Sequence, residues 1–149
     1  MRLLAKSYDR LKHGDVPPDY ALLTQHSRDV AAACSALAGT VGRTALKNAE
    51  LDPNTFETFS LALRANGWMQ DLGKASSHFQ EMVKGAREIR QLIRHETISG
   101  LLLLSEAHPF RAWLLELLPE KLLIASVWGA MGHHRKFDKH TKPESGAMP

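Results

Sequence analysis

Several things are scarce in this chain, and each scarcity removes a class of protein. Cys34 is the single cysteine. No internal disulfide can form, which fits a cytoplasmic protein better than a disulfide-stapled secreted domain. Its neighbours Ala31, Ala32, Ala33 and Ala36 make it a small packing residue, not a nucleophile. Long apolar runs are missing too. The stretches at 101–104 and 122–131 fall well short of the ~18 uninterrupted apolar residues of a membrane span, so no membrane partner is expected. The opening Met1-Arg2-Leu3-Leu4-Ala5-Lys6 is too short for the apolar core of a signal peptide. Sustained period-2 alternation, the mark of half-buried strands, is absent. No Gly-x-x-x-x-Gly-Lys-Ser/Thr phosphate loop occurs, so these 149 residues encode no nucleotide-driven motor.

What is present is a helical chain of single-domain length. Apolar residues make up 44% of it, enough to bury a sizeable core. The net charge of +3 is mildly basic and compatible with a nucleic-acid partner without demanding one. Val16-Pro17-Pro18-Asp19 reads as a rigid turn that sets the first residues apart as an arm. An alanine-rich helix is predicted over about 20–37, ending near Gly39 and Gly42. Asp52-Pro53 opens a second helix that runs to about Asp71, with Gly73 to end it. Its Phe56, Phe59 and Leu63 share one face and Leu61 and Trp68 another, which predicts a central, buried helix. Ser76 or Ser77 caps a short helix to Gly85. A further helix starts near Glu88 or Arg94 and reaches Ala107, its 101–104 block predicting burial on all sides. His108-Pro109 breaks the chain. Two last helices, about 110–118 and 119–131, end at Gly132. Residues 138–149 are polar and aperiodic and read as a loose tail behind one domain of residues 1–137.

Chemistry-bearing residues gather at the ends of these helices. His26, Asp71, His95, His133 and His134 offer a mixed nitrogen and oxygen donor set, suited to manganese, iron, nickel, cobalt or zinc. Any one histidine alone is more often a surface or satisfied core residue, and His13, His108 and His140 read that way. His78 is ambiguous, being near the Gly-Lys turn.

The combination is more specific. Gln70-Asp71-Leu72-Gly73-Lys74-Ala75-Ser76-Ser77-His78-Phe79-Gln80, with His26-Ser27 before it and Arg94-His95-Glu96 and Gly132-His133-His134 after it, resembles the HD-domain nucleases of type I CRISPR interference. The resemblance spans residues 24–134. It implies an all-α fold, a compact HD-type helical bundle, with two adjacent transition-metal sites. Asp71 would bridge them, His95, His133 and His134 would complete one, and His26 would belong to the other. Lys74 would lie near the scissile phosphate as a point charge. Two metals in such a nuclease clamp the attacking and leaving oxygens of a phosphodiester. The implied substrate is single-stranded DNA, and the implied partners are a helicase and other subunits of an interference complex. Backbone phosphates would be met by Arg87, Arg90, Arg94, Arg135, Lys136 and Lys139, with Arg135 and Lys136 the best of them.

Two positions depart from the pattern. Gln70 stands where the family has the histidine of its His-Asp pair, and a neutral amide is a poor substitute for imidazole at a transition metal. The family also has a later aspartate, and Asp138 does not take its place. Both departures fall on the site that holds His26, so one or two ions are expected. Two other readings compete. A catalytically silent HD-like module would hold metal and dock a partner of the interference complex. An HD phosphohydrolase acting on nucleotides would have no need of the Gly-Lys…Phe-Gln and Gly-His-His extensions.

Overall fold

The computed structural model describes residues 2–85 and 93–134. They form an all-helical domain, and their single β-type pairing is an isolated antiparallel bridge between Leu4 and Leu22. The helices are α1 (Arg10–His13), α2 (Leu23–Leu37), α3 (Arg43–Asn48), α4 (Phe56–Met69), α5 (Ser77–Val83), α6 (His95–Leu104), α7 (Pro109–Leu117) and α8 (Leu123–Gly132).

Local chemistry explains most of the starts. The Asp52 carboxylate accepts the Asn54 N–H, and Pro53 leads through a 3-10 turn into α4. The Ser76 hydroxyl accepts the Phe79 N–H at the head of α5. His108 Nδ1 accepts the Phe110 N–H at the head of α7, so this histidine is a cap. At the other end of α5, Gly85 adopts φ 74° and closes the helix by donating to the Met82 carbonyl.

The core lies between α4, α6, α7 and α8. Leu103 and Leu114 are fully buried, with Met69, Val127 and Ala130 around them. Two close approaches then position the site. A Cβ at Gly67 would sit 2.7 Å from the Ala31 Cα, so glycine lets α4 lie directly on α2. A Cβ at Gly73 would collide with the His95 carbonyl, so glycine seats the turn after α4 on the head of α6. Ser99 locks that junction, accepting the Gly73 N–H and donating to the His95 carbonyl. Cys34 Sγ packs against Gly67 in the α2–α4 contact, and burial raises its thiol pKa, as suits a packing residue.

Four expectations need correction. The first residues are not a separate arm: Leu4 and Ala5 are buried, and backbone bonds run from Ala5 N–H to Ala21 O and from Leu23 N–H to Leu3 O. The α-helix α2 ends at Leu37 as expected, but Gly39 and Gly42 do not break the chain's helical path. A π turn, Ala38–Gly42, carries the chain into α3, because Gly42 packs against the Phe56 and Phe59 rings. The block at 101–104 is not buried all round: Leu103 is, while Leu101 is 57% exposed, and the helix stops at Leu104, short of Ala107. Nor is α4 wholly buried, since Trp68 is exposed near its end. A helix start at Glu88 and the tail at 138–149 lie outside the described residues, as does the domain end at 137.

Candidate metal centre

The centre is built on Asp71, the residue after the C-cap of α4. It is 2% exposed, and its two carboxylate oxygens face different neighbourhoods. Oδ1 faces imidazoles from the head of α6 and the end of α8. His95 Nε2 lies 3.0 Å away and His133 Nε2 3.5 Å away. His134 Nε2 lies 3.2 Å from His95 Nε2. Oδ2 faces a different pair, His26 Nε2 at 2.8 Å from the first turn of α2 and Lys74 Nζ at 3.0 Å from the Gly-Lys turn. Lys74 is mostly buried, so it is not the solvated lysine that a helix flank usually carries.

The electrostatics follow from these contacts. Burial alone would raise the Asp71 pKa. Contacts from His133, His95 and Lys74 outweigh burial and hold the carboxyl far below the usual range, so it is ionised throughout. At His133 burial acts to lower the pKa, yet the Asp71 carboxylate and the Ala130 carbonyl win and raise it. His134 is lowered by burial and by its cationic neighbour His133.

Outer groups aim the ligands. His133 Nδ1 donates to the Ala130 carbonyl at 2.7 Å, which leaves Nε2 to face Asp71. His95 Nδ1 faces Glu96 Oε2 at 3.4 Å, and the Arg94 guanidinium holds the other Glu96 oxygen. A carboxylate behind a ligating imidazole raises its basicity and fixes the ring. Arg94 is therefore engaged with Glu96, although the sequence suggests it for phosphate contact. Sequence reasoning missed Glu96 and Ser99 as site residues. Glu96 stands in the Arg-His-Glu triplet itself, while Ser99 shows only in the contact it makes.

The residues fit a metal ion. Asp71, His95, His133 and His134 each offer a ligand atom, all within 4.8 Å of one another. Asp71 Oδ1 and His133 Nε2 are buried and, among the described residues, find no hydrogen-bond partner. The carboxylate oxygen and the ring nitrogen face each other without a hydrogen bond of good length, and a cation between them, a ring proton in the metal-free protein or a metal ion in its place, offsets the cost of burial. One carboxylate and three imidazoles suit a divalent transition metal.

The predicted metal ligands and Lys74 thus converge on Asp71, whereas Arg94 pairs with Glu96 and Gln70 is half-buried beside Asp71 in the chain. His26 reaches Asp71 through Oδ2 and stands outside the four-residue group, as does His78. Arg87, Arg90, Arg135, Lys136, Lys139 and His140 lie outside the described residues.

Helix ends that bring three imidazoles to one buried carboxylate, in an otherwise all-helical bundle, define an HD-type metal-site domain. The comparison with known families narrows this class. The Cas3 HD-domain family matches residues 5–148, and the chain belongs to that family. It is 38% identical over 136 residues to a protein of Myxococcus xanthus (strain DK1622) named as a CRISPR-associated nuclease/helicase Cas3. That match covers 91% of this chain and 18% of the relative, so the chain spans under a fifth of the relative's length. No solved structure gives a significant match.

Proposed function

We propose that this domain is a metal-dependent nuclease that hydrolyses phosphodiester bonds of single-stranded DNA in a cytoplasmic CRISPR interference system. The observation that carries the reading is the division of Asp71: a four-ligand cluster on Oδ1 and the Lys74 ammonium on Oδ2. A divalent ion (manganese, nickel, cobalt, iron or zinc) in that cluster supplies Lewis acidity toward a phosphoryl oxygen and activation of water. Lys74 offers a fixed positive charge to a phosphate oxygen or to the leaving group. His26 shares Oδ2 with Lys74 and keeps that oxygen compensated when Lys74 turns to substrate. The Ala130 carbonyl holds His133 in its ligating tautomer, and the Glu96 carboxylate lies 3.4 Å from His95 Nδ1, where its charge favours a proton on that nitrogen.

The same division supports one ion rather than two. Oδ2 is already paired with His26 and Lys74, and Gln70 brings no strong ligand to that side. A helicase motor and the other subunits of the complex would lie outside this stretch, in keeping with the name and length of the relative. The compensated Oδ2 also favours a second reading, a silent metal-holding module that docks a partner of the complex.

Degradation of circular single-stranded DNA with manganese or nickel separates the two. Cutting by the native domain, abolished in Asp71→Ala, establishes the nuclease. A native domain that binds one ion yet leaves DNA intact, and stays inert as Gln70→His, establishes the silent module. Cutting gained only by Gln70→His identifies Gln70 as the cause of the silence.

A further inference from the structure

A groove of about 410 Å3 opens beside the centre. Lys6 and Ser7 line it from the N-terminal segment, Phe79 from α5, and Lys74, His95 and His134 from the centre itself. Three of its nine lining residues are thus the proposed reaction machinery, and three more, with Ala5, come from the start of the chain. That segment is held in place by one side chain. Gln80 is 3% exposed, and its carboxamide oxygen accepts the Leu4 N–H at 3.0 Å. Its Nε2 donates to the Leu4 carbonyl and to the Lys74 carbonyl, both at 2.8 Å. The other edge of the segment is tied to the entry of α2 by the Leu3–Leu23 and Ala5–Ala21 backbone bonds. Gln80 therefore joins the groove wall to the turn that carries Lys74. Only a carboxamide can do this, because it accepts once and donates twice from one flat group.

We propose that residues 5–7, anchored through the buried Leu4, form a wall of the strand-binding groove. Lys6 takes a phosphate of the bound strand beside the metal centre, and Gln80 is the positioning residue that holds the wall. This rests on the nucleic-acid reading above. Lys6 is exposed, its ammonium lies 5.0 Å from the centroid of the Tyr20 ring, and it borders the same groove as Lys74. Two cations along one groove match the charge of a phosphodiester backbone. Phe79 offers a ring to the same space.

The test is binding of a labelled oligothymidylate in chelator across a salt series, so that hydrolysis plays no part. Lys6→Ala, an exposed change, should weaken binding about fivefold near 0.1 M salt and lower the salt slope by about 0.7, the value of one lost phosphate contact on a single strand. Lys6→Arg should restore both. Gln80→Glu keeps the acceptor and removes both donated bonds. It should weaken binding in the same direction and speed exchange of the buried, hydrogen-bonded Leu4 amide. Native-like affinity and slope in Lys6→Ala would overturn the phosphate contact while leaving the nuclease reading intact. Unchanged Leu4 exchange in Gln80→Glu would overturn the positioning role. A native domain that fails to bind the oligonucleotide would overturn the groove and the nucleic-acid reading together.

Discussion

Asp71 and His133 form the pair on which the pH behaviour of the metal-free protein depends. Against the opposing pull of burial, Asp71 and the Ala130 carbonyl raise the His133 pKa above its ordinary 6.5. A raised folded value means that the protonated ring stabilises the fold fully below the unfolded value. That support is lost as pH rises through the folded value. Removing the ring should therefore matter less in alkali. Melting temperatures in chelator should show a gap between native protein and His133→Gln that narrows from about pH 6 to about pH 8.5. A gap that widens would place the proton elsewhere. That Asp71, Lys74, His95, His133 and His134 belong together could be read from their motifs in the sequence. The use made of Glu96, Ser99 and Gln80 could not, because each acts on a partner that only the packed chain brings near.

Among the elements, α2 and α4 depend on the smallest side chain between them. Gly67→Ala would drive a methyl into the Ala31 backbone, and backbone cannot turn aside as a side chain does. The expected cost is ~1–3 kcal/mol, read from chemical denaturation. Metal affinity should fall as well, since this crossing brings α2 and its His26 to Asp71. The starts at Asp52 and Ser76 were legible because those residues cap through their own side chains, and the start of α7 was legible from Pro109, with the His108 cap visible only in the structure. Helix ends were less so. Gly42 looks like a breaker and serves as a seat for the Phe56 and Phe59 rings, a tertiary use that periodicity does not reveal. The 101–104 run misled for a similar reason. Four apolar residues in a row wrap all round a helix, and α6 has packing partners on only part of its circumference.

For the molecule as a whole, some apolar surface stays uncovered. Ile124 and Trp128 lie one turn apart on α8 and are 57% and 76% exposed. Trp128→Lys should change stability by under about 0.5 kcal/mol, and sedimentation should show less self-association at high concentration. Among the described residues no helix is long and apolar enough to cross a membrane. The Gln80 clip has a consequence in time. It joins residues 76 apart in sequence, so one edge of the opening segment is fixed only once α5 is in place. The segment's bonds to Ala21 and Leu23 close a short loop, whereas the Gln80 clip closes a much larger one. Until Gln80 has been added and α5 has folded, the groove lacks a fixed wall, and any premature ligand meets a segment held along one edge alone.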